Sequence, residues 1–283
     1  MRYDFPAYSF EQDTQDKLSE HTLERVAHLV QQHSGIVLGG HKQETIQRHL
    51  GAFARRLGLR DVDAYLDYLQ AQPDGEEWAQ FINVFTINHT AFFREAHHFK
   101  TLAEYLPQRQ RPLHLWSAAA STGEEAYSMA MVARECLAHA DYGVHILASD
   151  IDTAALQVAV RGVYKKDRVD GLSLDRLQRF FQRGKGRNKG LVRVKHELQE
   201  MIEFQMINLN ASTGWPGPSS MDVIFCRNTM IYFDRKTQIR LLERFAQVLK
   251  PGGLLFVGHS ENFSFLTTVL RLKGQTVYER PAE

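Results

Sequence analysis

From residue 113 onward the chain repeats one unit: an apolar run of strand length, a polar cluster, then a helical stretch. The runs are LHLW (113–116), VHILAS (144–149), IEFQMI (202–207), DVIFC (222–226) and LLFVGH (254–259), and a last strand pair includes TVYER near the C-terminus. Helical periodicity runs through GEEAYSMAMVARECLA, TAALQVAVRG and KTQIRLLERFAQVL, the last closed by Lys250-Pro251-Gly252-Gly253. Strands separated by helices pair in parallel, because a helical crossover returns the chain to the same end of the sheet. This predicts an α/β, doubly wound domain of about 170 to 200 residues.

In an open parallel sheet, ligands bind outside the carboxyl ends of the strands. Here SAAASTGEE follows the first strand, Asp150 and Asp152 the second, and Asn208 the third. Arg227 and Asn228 follow the fourth, and Ser260, Glu261 and Asn262 the fifth. Five polar strand ends on one edge describe a pocket for a polar organic cofactor.

The first loop, within WSAAASTGEEAYS (116–128), narrows the choice. A phosphate-binding loop presents GxxxxGK[ST] or GxGxxG, and this loop has neither. Glu124 and Glu125 oppose the helix dipole but repel a bound phosphate. A carboxylate there suits a cation. S-Adenosylmethionine carries an ammonium group, a sulfonium and ribose hydroxyls without phosphate, and Asp150 stands where an acid accepts both ribose hydroxyls. An acid at a helix start also serves as a simple cap, and either residue taken singly carries that reading too.

Before residue 110 there is no strand signal. Helices are predicted from Thr14 to Gln32, from about Lys42 to Leu57, and over VDAYLDYLQAQ and EEWAQFINVF, the last two separated by a turn at Pro73-Asp74-Gly75. In the second helix Ile46, Leu50, Phe53 and Leu57 share a face, Arg48 and Arg55 lie opposite, and Arg56 lies to the side. From Tyr164 to Glu200 the repeat is interrupted by LSLDRLQRFF, the basic loop RGKGRNKG and LVRVKHEL, where Arg193 alternates with apolar neighbours as in a half-exposed strand. This interval is read as a small insertion.

With 34 basic and 33 acidic side chains the net charge is +1, which excludes a whole-protein electrostatic grip on nucleic acid or membrane. Cys136 and Cys226 have no CxxC spacing, so neither a disulfide framework nor a zinc site is expected. The N-terminal MRYDFPAYSFEQDTQD lacks the apolar core of a signal peptide, which predicts a cytoplasmic protein.

The segments NHTAFFRE (88–95), WSAAASTGEEAYS, ASDID (148–152), FCRNTMIYF (225–233) and GHSENFS (258–264) together resemble the motifs of the CheR family of chemotaxis receptor methyltransferases, in order and spacing, from about residue 18 onward. The resemblance implies a small all-helical domain over 1–85. It also implies a Rossmann-like S-adenosylmethionine-dependent methyltransferase domain over 86–283, with a small antiparallel β-subdomain inserted at about 165–200. Carried over by position, the cofactor residues are Asn88, Thr90, Arg94, Glu125, Asp150, Asn208, Leu209, Arg227 and Asn228, and Arg94 and Tyr232 are catalytic. Ala126 departs from the family, where proline is frequent. The implied reaction moves a methyl group to the γ-carboxylate of glutamates on methyl-accepting chemotaxis receptors, leaving S-adenosylhomocysteine. The implied protein is a monomer, without direct membrane insertion or nucleic-acid partner. Arg48, Arg55 and Arg56 then face a helical receptor bundle, and LVRVKHEL with Arg193 offers a strand edge to a receptor C-terminal tether peptide.

Other features weigh less. Cys226 lacks the Pro-Cys context of a methyltransferase nucleophile, His97-His98 has no matching carboxylate or histidine at metal spacing, and Phe92-Phe93 reads as core or pocket wall. Two rival functions remain at this stage: a non-catalytic receptor-binding scaffold, and a methyltransferase acting on another substrate.

Overall fold

Ser19 ends the first loop and starts the first helix, its hydroxyl accepting the Thr22 amide at 3.0 Å. The computed structural model describes residues 17–39, 43–73, 75–137 and 143–282. Outside it fall the N-terminal stretch with its leader reading, the predicted helix start at Thr14, Lys42 at the start of the second helix, Asp74 of the turn and the end of GEEAYSMAMVARECLA at Ala138.

Four helices come first: α1 (Glu20–Ser34), α2 (Gln43–Arg56), α3 (Val62–Ala71) and α4 (Glu77–Asn83). Gly35 closes α1 with a left-handed φ of 81°, and Asp61 caps α3 by accepting the Ala64 amide at 2.8 Å. Their apolar faces meet around Val26, Leu50, Leu66, Phe81 and Ile82, each buried. Burial of a side chain of this size is worth roughly 1.5–3 kcal/mol, so this cluster holds the four helices together.

Next come α5 (Ala96–Tyr105), β1 (Leu113–Ser117), α6 (Glu124–Cys136), β2 (Val144–Asp150) and α7 (Thr153–Arg161). The insertion follows as β3 (Val163–Lys165), α8 (Leu174–Phe180), β4 (Phe181–Arg183), β5 (Leu191–Val194) and α9 (His196–Gln199). The chain ends with β6 (Ile202–Met206), β7 (Met221–Cys226), α10 (Arg235–Val248), β8 (Leu249–Val257), β9 (Arg271–Gly274) and β10 (Val277–Glu279). Helix α5 has no sequence forecast because no Ser, Thr, Asp or Asn precedes it as a cap; Glu95 starts it from a left-handed φ of 58°.

The large sheet runs β6-β2-β1-β7-β8-β10-β9. The first five strands in that order are parallel, and β10 and β9 are antiparallel. From β1 the chain moves outward to β2 and β6 on one side, then returns to β7 and β8 on the other, so the strand order reverses at β1/β7. This is the expected Rossmann-like α/β architecture with its all-helical segment and a separate three-stranded sheet. Strand β8 starts earlier than LLFVGH, because Lys250 to Gly253 pass through a register shift against β7 and still belong to the strand.

The three-stranded sheet corrects one expectation. Its order is β3-β5-β4, so LVRV is the central strand, paired on both sides, and offers no edge. The short strands β3 and β4 had no sequence signal, and they supply the outer edges. Among the described residues no helix is long and apolar enough to cross a membrane.

Candidate active site

The carboxyl ends of β1, β2, β6 and β7 open into one cleft with about 920 Å³ of free space, part of it continuous with solvent. Its wall includes every cofactor and catalytic residue that the family resemblance implied: Asn88, Thr90, Arg94, Glu125, Asp150, Asn208, Leu209, Arg227, Asn228 and Tyr232. Backbone strain gathers beside it, since Phe93, Glu95, Ser121 and Asn228 all have positive φ without being glycine.

The floor is charged and dry. Glu125 and Arg227 are buried, with Glu125 Oε2 3.3 Å from Arg227 Nε, and the Ser117 hydroxyl donates to Glu125 Oε1 at 2.7 Å. Burial pushes the Glu125 carboxyl above its usual range, opposed by Arg227 and the Ser117 bond. Arg227 Nη2 donates to the Arg94 carbonyl at 2.6 Å. Its Nη1 and Nε are buried without a hydrogen-bond acceptor among the described residues, Nε lying off the bonding direction of the nearby carboxylates.

Asp150 ends β2. Its carboxylate accepts the Ser121 amide at 2.7 Å and the Asp152 amide at 2.9 Å, with no cation among its bonding partners. Burial pushes it up to about 6, against the pull of those amides.

At the cleft mouth the Arg94 side chain donates to the His89 carbonyl at 2.6 Å. Tyr232 sits in the 3-10 turn Met230–Tyr232, and its hydroxyl has no hydrogen-bond partner among the described residues.

One wall was not foreseen. The C-terminal end of α1 and the residues after it, including Ser34 and Ile36, line the cleft. Asn208 Nδ2 donates to the His33 carbonyl at 2.6 Å, and Val37 N donates to the Tyr232 carbonyl at 2.8 Å. Gly35 permits this closeness, since a Cβ there would stand 3.2 Å from the Phe233 ring. The predicted first helix ends at Gln32, just before the Ser34-Gly35 pair, and no motif in the sequence marks that pair as a cleft wall.

Several expected roles change. Asp152 caps α7 and accepts from Thr86 and Asn88, so it holds the cleft entrance without lining the cleft. The fifth strand end is a brace: buried Glu261 accepts the amides of Gly258, Asn228 and Ile231, while Ser260 and Asn262 are exposed. Glu124 is at the helix start but fully buried, where Arg168 of the insertion pairs with it and the Thr122 hydroxyl donates at 2.6 Å. Phe92 packs edge-on against Tyr164 and Phe181, and Arg176 stacks 3.8 Å over Phe93, so this pair fastens the insertion. Burial pushes the Cys226 thiol well above its usual value and keeps it protonated. A carboxylate does stand near His97 and His98, because the left-handed turn at Glu95 brings the ligand atoms of all three within 4.8 Å of one another. Arg227 Nε, 3.9 Å from Glu95 Oε2, opposes a cation there.

On the helical face Arg48 and Arg55 are exposed, whereas Arg56 is committed, bonding Gln80 at 2.6 Å and pairing with Glu77. Arg193 is exposed on β5.

Residues 88–278 match the CheR methyltransferase SAM binding domain, and residues 21–86 match the CheR methyltransferase all-alpha domain. A chemotaxis protein methyltransferase of Klebsiella aerogenes is 48% identical over 261 residues, covering 92% of this chain and 90% of that protein. The chemotaxis protein methyltransferase of Salmonella typhimurium is 48% identical over 262 residues, with the same coverage of 92% and 90%. Chemotaxis protein methyltransferase 2 of Pseudomonas aeruginosa is 47% identical over 248 residues, covering 87% of this chain and 88% of that protein. The chain therefore belongs to the CheR methyltransferase family and is an S-adenosylmethionine-dependent methyltransferase.

Proposed function

We propose that this chain is a protein-glutamate O-methyltransferase of membrane chemoreceptors. It is read as cytoplasmic, with the receptor's helical bundle as partner. The observation that carries the reading is the cleft floor, where a buried carboxylate and a buried guanidinium with two nitrogens lacking an acceptor among the described residues stand side by side. The amino-acid end of S-adenosylmethionine has the matching charges, an ammonium group for Glu125 and a carboxylate for Arg227. Asp150, an acceptor with no cation among its bonding partners, suits the ribose hydroxyls. Asn88, Thr90, Asn208, Leu209 and Asn228 complete the lining.

When bound, the cofactor supplies an electrophilic methyl on a sulfonium. A substrate glutamate is already ionised at neutral pH, so no general base is required of the protein. What the residues must do is align. Tyr232, with its hydroxyl unengaged, and Arg94, held at the mouth by His89, donate toward an incoming carboxylate and orient one oxygen. A strong salt bridge would quiet the nucleophile, so Arg94 mainly positions. Alignment in a partly desolvated cleft accounts for several kcal/mol, on the order of what proximity provides.

The exposed face of Arg48 and Arg55 is assigned to the acid-flanked receptor helices. A receptor peptide strand, where one is used, would add at the outer edge of β3 or β4. The test is transfer of labelled methyl from S-adenosylmethionine to membranes carrying candidate receptors. Base-labile label on receptor is the expected result, and label in nucleic acid alone would overturn the reading.

A further inference from the structure

Beneath the cleft floor, His98 is fully buried in the first turn of α5. Its Nε2 lies 2.9 Å from the Gln275 carbonyl oxygen and 3.2 Å from Thr276 Oγ1, whose own hydroxyl donates to a backbone carbonyl. A carbonyl only accepts, so Nε2 carries the hydrogen. The other nitrogen, Nδ1, then presents a lone pair, and 3.3 Å away stands Glu95 Oε2, itself an acceptor. Both atoms are buried and have no other hydrogen-bond partner among the described residues. Two bare acceptors facing each other in a dry interior repel, and one proton between them turns the contact into a bond.

The surrounding charges bear on the same proton. Arg227 Nε is 3.9 Å from the same Glu95 oxygen and 3.3 Å from Glu125, so one buried guanidinium faces a buried and a half-buried carboxylate. The other groups nearby are His97, whose ring lies 4.2 Å from that of His98, and Arg94, held through its backbone carbonyl. One added proton brings the trio of Glu95, Glu125 and Arg227 to neutrality. Burial, joined by Arg227 and His97 and opposed by the Gln275 carbonyl and Glu95, lowers His98 to about 4, while Arg227 and the His259 amide hold Glu95 below its usual range against burial. What holds the proton is the contact itself, two buried acceptor atoms 3.3 Å apart that only a shared hydrogen can join.

We propose that Glu95 and His98 are positioning residues that share one proton, and that this pair fixes Arg227 and Asn228 for the cofactor. Glu95 reaches both, because its Oε1 accepts from Asn228 Nδ2 at 3.3 Å and from the His259 amide at 3.2 Å. The proposal rests on the reading that Arg227 and Asn228 hold the cofactor.

The sign follows from the chemistry: loss of the proton as pH rises restores the repulsion and leaves Glu95 an unshared anion that competes with the cofactor's carboxylate for Arg227, so affinity for the product S-adenosylhomocysteine falls on the alkaline side. Glu95→Gln supplies an amide N–H to Nδ1, keeps an oxygen for Asn228 and His259, and leaves Glu125 and Arg227 balanced without any titrating proton. Calorimetric titration of S-adenosylhomocysteine from pH 6 to 9 is expected to show an alkaline loss of about tenfold per unit for the native chain, flat binding for Glu95→Gln, and weak binding at every pH for Glu95→Ala. Nitrogen NMR of the histidine-labelled chain is expected to show a proton shared at His98 Nδ1 that Glu95→Gln removes. An unprotonated Nδ1 in the native chain at pH 7, or the same alkaline loss in Glu95→Gln, would overturn the proposal. Arg227→Ala tests the underlying reading separately: unchanged product affinity there would remove the cofactor role and leave the NMR result to stand alone.

Discussion

Asp150 Oδ2 and the Ser121 amide nitrogen are 2.7 Å apart, so the loop after β1 is tied to the end of β2 through a carboxyl that burial holds at about 6. Below that pH the carboxyl is protonated and loses acceptor capacity, and affinity for S-adenosylhomocysteine is expected to fall as pH drops through about 6. Stability runs the other way. Between roughly 4 and 6 the folded carboxyl holds a proton that the unfolded chain has released, so the unliganded protein becomes less stable as pH rises across that window. Asp150→Asn should abolish both slopes, as read by calorimetric titration and urea unfolding.

Tyr232→Phe keeps the ring in the cleft wall and removes only the hydroxyl. Turnover on receptor is expected to fall roughly tenfold or more, with product affinity changed less than about threefold. A large loss of binding with unchanged turnover of the bound complex would contradict the alignment role.

Gly258 ends on contacts that leave no room for a methyl group. A Cβ there would stand 2.4 Å from Asn228 Nδ2 and 2.8 Å from Glu261 Oε2, both held in place by other bonds. Gly258→Ala is expected to cost about 1–3 kcal/mol of stability through overpacking. It should also weaken cofactor binding by moving Asn228. Denaturant unfolding and product titration measure the two effects separately.

On α2 the three arginines should separate. Arg48→Ala with Arg55→Ala is expected to slow receptor methylation while leaving stability and product binding unchanged, because both side chains are exposed. Arg56→Ala should instead lower stability slightly, by at most about 1 kcal/mol, since a partly exposed pair with Glu77 is what it loses. Receptor methylation at limiting receptor concentration distinguishes them.

The strand ends were legible because a parallel strand puts its next residue over the sheet edge whatever lies around it, which is why Asp150, Asn208, Arg227 and Asn228 fell where expected. Side-chain commitments across long sequence distance were not legible. Nothing near Asn208 announces that it bonds His33, 175 residues away. Glu261 reads as one more polar residue, and only the folded chain shows that it collects three amides from two loops. The alternation in LVRV signalled a strand with one wet face but carried no information about its neighbours on either side, so its central place in the small sheet was missed.

The bonds from Asn208 to His33 and from Val37 to Tyr232 have a consequence for protein engineering. A chimera that borrows the helices α1 to α4 from a relative imports part of the candidate cleft together with the arginine face. Swapping that segment to redirect receptor choice will therefore also retune product affinity, unless the Ser34 to Val37 crossing and its counterparts at Asn208 and Tyr232 are moved as one block.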